Sequence, residues 1–318
     1  MLIVQKFGGS SLAGAERLRR AASIIADSAD AGNKVVAVVS ARGDTTDELL
    51  GQARRISADP PVRELDALLS CGETGSAAMT AMQLADIGKR CVSLTGAQAG
   101  ILTDGVHGAA RILSIDTARI MRELDAGKIV VAAGFQGAER GGDTTTLGRG
   151  GSDTTAVELA AALKADRCEI YSDVDGIYTA DPRLVTGAVR LDSIDYGDML
   201  HLALHGSQVL HSRSVEAAMR ANVRVHLLSS FTRHEGTVMC KLDDRSGLCG
   251  VTRDPSLGTV SIIGREADAH VLAEAVAALA HSDIIVTRTE LFDGGCSLFV
   301  SPDRLLPALE ITHRRFFR

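Results

Sequence analysis

Short apolar runs alternate with longer amphipathic segments along most of the chain. The runs are rich in Val, Ile and Ala, which is typical of strands that are buried on both faces of a sheet. The predicted strands are Leu2–Gln5, Lys34–Ser40, Cys91–Leu94, Lys128–Ala133, Glu169–Tyr171 and Val223–Leu228. Because helical segments separate these strands, we expect an α/β fold in which a mainly parallel sheet is covered by helices on both faces.

Helical periodicity fills the segments between the strands. One of them, residues 62–88, contains Gly72, which predicts a break between a first helix and a second helix that begins at Glu73. A long glycine-rich loop is expected over residues 95–108, and loops of this length are usually functional. The other predicted helices are Ala15–Ala31, Glu48–Ser57, Ser114–Ala126, Asp195–Leu204 and Arg213–Ala221.

The C-terminal part of the chain has a different order of elements. Charged and turn-forming residues cluster at Asp243–Gly247, which predicts one domain over residues 1–245 and a second over residues 246–318. The second domain has the order βαββα, typical of a ferredoxin-like α+β unit without an obvious final strand. Its predicted elements are Thr259–Ile263, Glu266–His281, Ile284–Leu291, Ser297–Val300 and Asp303–Ile311.

Composition excludes several classes of function. The 318 residues are 45% hydrophobic and 23% charged, which is typical of a globular protein with room for two domains. The net charge of −6, with no block of Lys and Arg, argues against nucleic-acid binding. No apolar run approaches the roughly 20 residues of a membrane span, and the first residues lack a signal-peptide pattern, so we expect a cytoplasmic protein. The six cysteines contain no Cys-x-x-Cys pair, which disfavours zinc and redox motifs.

The stretch Thr144–Ala156 carries the strongest chemical signal. Its glycines allow backbone N–H groups to approach an anion, and the helix that follows directs its positive end to the same place. Arg149 adds a fork of donors suited to a carboxylate or phosphate, whereas Asp153 is suited to organising a cation. The alternative is a simple turn, with Thr155 and Glu158 as a helix capping box.

The first strand ends in a second candidate for phosphate binding. Lys6 precedes Gly8, Gly9 and Ser10, which offer N–H and hydroxyl donors, although the order is not that of a Walker A loop. The alternative is an exposed lysine beside a turn. Ser40 and Thr46 follow the second strand, so they should lie at the same edge of the sheet, where ligands of such folds bind.

Three further positions have both a functional and a structural interpretation. Glu73, at the predicted helix start, would be stabilised as an anion by the helix dipole or would bind a ligand. His107 is a candidate for proton transfer, as histidine is in general, but a lone loop histidine is more often a hydrogen-bonding residue than a catalyst. His201 and His205 have a metal-compatible spacing, but a packed or solvated helix face is favoured because no zincin glutamate accompanies them.

The motifs taken together resemble those of the aspartate kinases of the amino-acid-kinase family, over nearly the whole of residues 1–245. The resemblance implies a three-layer α/β/α fold and transfer of the γ-phosphoryl group of ATP to the side-chain carboxylate of L-aspartate, which gives 4-phospho-L-aspartate. ATP is then a co-substrate that carries Mg²⁺ on its phosphates, and no metal site of the protein is implied. The matching motifs are Lys6–Ser11, Val39–Ala41, Gly72–Glu73, Thr95–Gly100, Gly134–Gly137, Thr144–Thr155 and Ser172–Arg183.

The resemblance also implies roles for individual residues. Lys6 would stabilise the transferring phosphoryl group, with Asp153 holding that lysine in place. Arg149 would grip the α-carboxylate of the substrate, and Glu73 would face its amino group. The other implied pocket residues are Ser40, Thr46, Phe135 and Ser152, and the implied ATP-side residues are Lys6, Gly8, Gly9, Ser10, Ser172, Asp173, Tyr178, Arg183 and Gln208. No general base is required, since a carboxylate nucleophile is already ionised at neutral pH.

Two departures from the family pattern change the expectations. Gln208 stands where the family usually has a lysine that contacts the ATP phosphates, so we expect weaker ATP binding or a slower step. Residues 246–318 suffice for a single, incomplete ACT-like domain, whereas aspartate kinases usually carry two, so we do not expect the usual feedback inhibition by lysine or threonine. An open sheet edge in that domain predicts pairing with a second subunit, and hence a homodimer.

Two other functions stay open at this point. The acceptor of the phosphoryl group is either L-aspartate or a related amino acid in a specialised pathway. A regulatory subunit that binds nucleotide or amino acid with little catalysis would account for Gln208 and the short C-terminal domain. The joint presence of Lys6, Arg149 and Asp153 favours the kinase.

Overall fold

A computed structural model describes residues 1–232, 234–243 and 247–317. Contacts divide the chain into two units: the first comprises residues 1–175 and 220–234, and the second residues 176–219 and 235–318. The predicted boundary between residues 245 and 246 lies outside the described residues and stays a prediction. Each unit has a sheet and a hydrophobic core of its own.

The strands in chain order are β1 (Leu2–Phe7), β2 (Lys34–Val39), β3 (Cys91–Leu94), β4 (Ile101–Thr103), β5 (Ile112–Ile115), β6 (Ile129–Ala133), β7 (Gln136–Ala138), β8 (Thr144–Thr146), β9 (Arg167–Ser172), β10 (Ser193–Asp195), β11 (Val225–Ser229), β12 (Thr237–Cys240), β13 (Leu248–Asp254), β14 (Thr259–Gly264), β15 (Arg288–Phe292) and β16 (Gly295–Phe299). The helices are α1 (Gly9–Leu12), α2 (Gly14–Asp30), α3 (Thr45–Ile56), α4 (Val62–Asp86), α5 (Ala118–Asp125), α6 (Gly151–Leu163), α7 (Tyr196–Leu204), α8 (Ser212–Ala221), α9 (Ala269–Ala280) and α10 (Leu305–Phe316), with a 3₁₀ turn at Pro302–Arg304.

The main sheet of the first unit is parallel, as the sequence predicts. Its strands lie in the order β11-β9-β1-β2-β6-β3, and every pairing between neighbours is parallel. Apolar residues of α2 and α4 form a core with alternate residues of β2 and β6. The remaining strand residues, such as Val36, Val38 and Val130, are equally buried on the opposite face, and α6 packs against β1, β2 and β9. The predicted α/β/α layering is therefore confirmed.

A second sheet in this unit was not predicted. Strands β5, β4, β7 and β8 form it in that order, with β4 and β7 parallel and the other two pairs antiparallel. The predicted loop over residues 95–108 therefore contains β4. Residues 114–115 belong to β5 rather than to a helix, and α5 begins only at Ala118. Three-residue strands are too short for periodicity to reveal, so only their partners define them.

Helix α4 corrects the predicted break at Gly72. The helix runs without interruption, and Gly72 is buried within it. A Cβ atom at this position would lie 2.9 Å from the Cβ of Ala41, in the loop after β2. The glycine therefore serves close packing between α4 and that loop, and this packing outweighs its low helix propensity. Glu73 consequently lies in the middle of a helix, and the predicted stabilisation by a helix start is wrong.

The C-terminal part of the second unit is an α+β domain that fits an ACT-like fold. Its antiparallel sheet has the order β13-β14-β16-β15, with α9 and α10 in the same core. The sheet has four strands rather than the predicted three, because β13 precedes the first predicted strand. The turn between β15 and β16 contains Gly294, whose φ is 82°. Among the described residues, no helix is both long and apolar enough to cross a membrane.

Candidate active site

The carboxyl ends of β1, β2 and β6 meet at one edge of the main sheet. The amide of Ser40 donates to the carbonyl of Phe7 (3.1 Å), and the amide of Gly134 donates to the carbonyl of Val39 (3.0 Å). Gly9 also touches the loop after β2, since a Cβ there would lie 2.6 Å from the Ala41 carbonyl oxygen. Three of the motifs singled out in the sequence are therefore adjacent in the fold.

Lys6 and Asp153 form an ion pair at this edge. Lys6 Nζ lies 2.6 Å from Asp153 Oδ1, and the two side chains are only 10% and 14% exposed. Lys6 is near the end of β1, while Asp153 is in the first turn of α6. The alternative interpretation of Lys6 as an exposed lysine beside a turn is therefore wrong, because tertiary packing buries the residue against a carboxylate.

The glycine-rich stretch joins β8 to α6. Gly150 caps the helix with a left-handed backbone (φ 70°), and no side chain caps it. Thr155 lies inside α6, where its hydroxyl donates to the Gly151 carbonyl (2.9 Å), so the capping box with Glu158 is not formed. Arg149 is exposed in the loop, and it makes no ion pair within the described part of the chain. Its guanidinium group is available to an anionic ligand.

Phe135 is fixed in an unusual conformation where β6 ends. Its φ is 68°, a left-handed value that non-glycine residues seldom adopt. The Phe135 amide donates to Thr155 Oγ1 (3.1 Å), and its ring lies over Gly151, where a Cβ would approach to 2.8 Å. Ser152 is in the same first turn of α6 as Gly151, and it is buried against Gly134 at the end of β6. Two predicted pocket residues, Phe135 and Ser152, thus pack beside the start of α6.

Glu73 is a buried acid, and only one of its two side-chain oxygens has a hydrogen-bond partner among the described residues. Its side chain is 4% exposed, and Oε1 accepts from the Ala41 amide at 3.0 Å. Oε2 is buried and accepts no hydrogen bond from the described residues. Burial raises the pKa of Glu73 to about 7, and the Ala41 hydrogen bond only partly opposes this. An acid in this state gains stabilisation when a cationic donor reaches its free oxygen.

The predicted nucleotide-side residues are distributed over both units. In the first unit, Gly8 donates its amide to the Tyr171 carbonyl (3.2 Å), so that amide is not free for a phosphate. Gly9 and Ser10 open the first turn of α1, where helix geometry supplies no carbonyl partner for their amides. Ser172 Oγ bonds within its own turn, with Val174.

The remaining nucleotide-side residues differ in exposure. Asp173 in the first unit is exposed, and so is Gln208 in the second. Arg183, also exposed, pairs with Asp181 at 2.8 Å, and Tyr178 forms a backbone bridge with Arg190. Thr179, next to Tyr178, shares a 2.8 Å hydrogen bond with the buried His313 of α10. The loop that carries Tyr178 is thus held by the C-terminal helix, a contact with no signal in the sequence.

Sequence reasoning missed Asp66. This aspartate on α4 is 1% exposed and accepts hydrogen bonds from His107, Gly108 and Thr146. The hydrogen-bonding interpretation of His107 is therefore confirmed.

His201 and His205 lie beside Phe292. The centroids of the stacked His205 and Phe292 rings are 4.2 Å apart. The described residues contain no group of three potential metal ligands.

Comparison with known proteins gives the site its context. The amino acid kinase family matches residues 1–229. The aspartokinase of Mycolicibacterium smegmatis is 48% identical over 290 residues, which are 89% of this chain and 69% of that protein. The aspartate kinase of Synechocystis has 37% identity and a TM-score of 0.70 over 99% of this chain, which spans only 55% of that enzyme's length.

A further structural relative was solved with ligands. E. coli aspartokinase III, in complex with aspartate and ADP, is 25% identical to this chain. Its TM-score is 0.72, and the match covers 98% of this chain and 84% of that one. The buried Lys6–Asp153 pair and the glycine-rich start of α6 lie within the segment that the family matches. The chain is therefore a kinase that belongs to the amino acid kinase family, among the aspartokinases.

Proposed function

We propose that this protein transfers the γ-phosphoryl group of ATP to the side-chain carboxylate of L-aspartate. The observation that carries the proposal is the buried ion pair between Lys6 and Asp153, at the edge where parallel strands of such sheets bind ligands. Asp153 fixes the position of the Lys6 ammonium group without competing for the substrate. E. coli aspartokinase III, solved with aspartate and ADP, supports the choice of both substrates.

The reaction needs little covalent help from the protein. An oxygen of the substrate's side-chain carboxylate attacks the γ-phosphorus, the bond to the bridging β,γ-oxygen breaks, and ADP leaves with that electron pair. The product is the acyl phosphate 4-phospho-L-aspartate. Charge on the transferring group is spread over three oxygens, so the chief requirement is cationic stabilisation by Lys6 and by the Mg²⁺ that accompanies ATP.

Two residues give the proposed site its selectivity for an amino acid. Among the described residues, Glu73 presents a buried oxygen without a partner, which suits an ammonium group, and Arg149 presents a guanidinium without an ion pair, which suits a carboxylate. Together they match the two charged groups on the α-carbon. Ser40, Thr46, Phe135 and Ser152 complete the proposed pocket, and its fit to the side chain decides between aspartate and a related amino acid.

A hydroxamate assay tests the proposal. The protein is incubated with Mg-ATP, hydroxylamine and L-aspartate, beside a panel of other amino acids and a reaction without acceptor. Formation of the hydroxamate with aspartate alone is the expected result. Turnover with another amino acid instead would show that this amino acid, and not aspartate, is the acceptor. No turnover with any acceptor, from folded protein that binds ATP or aspartate, would favour a regulatory subunit, the function that Gln208 would suit.

The proposal includes a homodimer. Strand β15 is at the edge of the C-terminal sheet, and its residues 288–291 are exposed. Such an edge offers free N–H and C=O groups to a second copy of the chain. Light scattering coupled to size-exclusion chromatography measures the mass directly, and a mass of one chain at micromolar concentration would contradict this part of the proposal.

A further inference from the structure

Asp66 accepts hydrogen bonds from two separate segments of the first unit. Its Oδ2 accepts from the Thr146 amide (3.0 Å) and lies 2.8 Å from His107 Nδ1, while Oδ1 accepts from the Thr146 hydroxyl (2.5 Å). The Gly108 amide lies 3.1 Å and 3.0 Å from the two oxygens. The side chain is 2% exposed, so these donors replace the water that a carboxylate normally binds.

Thr146 is the last residue of β8, the edge strand of the small sheet. Its amide donates to Asp66, and its carbonyl accepts from the Ala110 amide at 2.9 Å. The next residue, Leu147, donates its amide to the Phe135 carbonyl at 2.8 Å. The loop with Arg149 therefore starts from a backbone fixed on two sides.

Asp66 also shares a helix with Glu73. The two residues are seven positions apart on α4, which is about two turns and puts both on the same face of the helix. Asp66 therefore joins the helix of the proposed ammonium-binding residue to the strand that delivers the proposed carboxylate-binding residue, Arg149. No other carboxylate in the described residues receives hydrogen bonds from both the loop with His107 and Gly108 and strand β8.

We infer that Asp66 is a positioning residue, which sets the separation of Glu73 and Arg149 and thereby the affinity for the amino-acid substrate. The inference rests on the proposed function. The role requires two acceptor oxygens, because both oxygens of Asp66 accept from backbone N–H groups. An asparagine of the same size would turn its NH₂ group against one of these donors, whichever way the amide is oriented.

The test compares Asp66→Asn with Asp104→Asn. Asp104 begins the loop that contains His107 and Gly108, and it accepts from the amides of Val106 and Arg111. Among the described residues it has no hydrogen bond with Thr146. For Asp66→Asn we expect the KM for aspartate to rise about tenfold, while kcat and the KM for ATP change by less than about threefold. The control variant should keep all three values.

Thr146→Val is a second variant in case Asp66→Asn folds poorly. It removes the hydroxyl donor but keeps the shape and the amide, so a rise of about threefold in the aspartate KM alone is expected. Equal kinetic constants in the variants and the wild type would overturn the inference. A loss of kcat in proportion to the folded fraction, with both KM values unchanged, would overturn it as well, because a merely structural role predicts that result.

Hydrogen–deuterium exchange separates this inference from the proposed function. In Asp66→Asn, the amides of segments 105–110 and 144–149 should exchange at least about tenfold faster than in wild type, with β1 and β2 unchanged. In Asp104→Asn, only the first segment should respond. If wild-type protein fails to phosphorylate aspartate, the function is wrong, whereas unchanged exchange in segment 144–149 would show that Asp66 does not hold the loop.

Discussion

Lys6 Nζ lies 2.6 Å from Asp153 Oδ1, and a second ion pair of nearly the same length, Lys34–Asp125, lies at the opposite end of the sheet. Lys34 pairs in register with Leu2 at the start of β1, whereas Lys6 is near the end of that strand. The side chains of Lys34 and Asp125 are 47% and 62% exposed, so water screens this pair. The two pairs differ in burial and location rather than in geometry.

Asp153→Asn should therefore reduce kcat by about 10²- to 10³-fold, because Lys6 loses the group that fixes it. Asp125→Asn, the matched control at the exposed pair, should leave kcat unchanged. Rates are measured with Mg-ATP and aspartate and corrected for the folded fraction from urea titrations. Full activity in Asp153→Asn would refute the role given to the buried pair.

Glu73 should give the protein a pH-dependent stability. Its pKa is about 7 in the folded state and near 4.5 in the unfolded state. The contribution of the protonated side chain to the free energy of unfolding is therefore fully present below pH 4.5 and is lost as pH rises through 7. Glu73→Gln, which stays neutral, should thus gain free energy of unfolding relative to wild type as pH rises, by roughly 3 kcal/mol at pH 8. Urea unfolding at pH 5 and pH 8 measures the difference; an equal difference at both values would contradict the prediction.

The same carboxylate should shape the pH profile of substrate use. A substrate ammonium group needs the ionised form of Glu73, so kcat/KM for aspartate should fall as pH drops below about 7. Glu73→Gln should lower kcat/KM overall and remove this acidic limb. An unchanged limb in the variant would assign the titration to another group.

Gly100 and Gly32 form a matched pair for a stability test. Their φ values are 81° and 82°, so an alanine at either position incurs the same left-handed strain, about 1–2 kcal/mol. A Cβ at Gly100 would lie 2.0 Å from the Asp116 carbonyl oxygen, whereas at Gly32 nothing lies within 4 Å. Gly100→Ala should therefore lose more than about 3 kcal/mol, and Gly32→Ala only the strain. Chemical denaturation compares them, and equal losses would contradict the predicted clash.

Gln208→Lys tests the departure from the family pattern. The side chain is exposed, and the resemblance assigns this position to the ATP phosphates. A charged donor there should lower the KM for ATP by about three- to tenfold, and the gain should shrink at high salt. Gln208→Met removes the donor without adding charge and should raise the same KM. A lysine variant with unchanged KM at low salt would separate this position from the nucleotide.

Local patterns in the sequence are sufficient to define the buried strands and the layers of the fold. Buried strands such as β2 and β6 are continuous apolar runs, and their alternation with helices implies a parallel sheet whatever the rest of the chain does. Motifs at strand ends then fall at one edge, which is why Lys6, Ser40 and Thr46 could be grouped in advance. Family resemblance added the roles of these residues, which stay predictions.

Tertiary structure decided the features that depend on distant partners. The sequence predicts a helix break at Gly72, but packing against Ala41 keeps this residue within a continuous helix. The sequence likewise predicts an anion at a helix start for Glu73, but burial raises the pKa of this residue. The short strands β4 and β5 are defined only by pairing within the small sheet, β5 with β4 and β4 also with β7. Asp66 has no local motif, because its donors are 41 to 80 residues away. The sequence by itself determined the layers and the edge where the candidate site lies. The geometry of that site came from contacts between segments far apart in the chain, which no periodicity encodes.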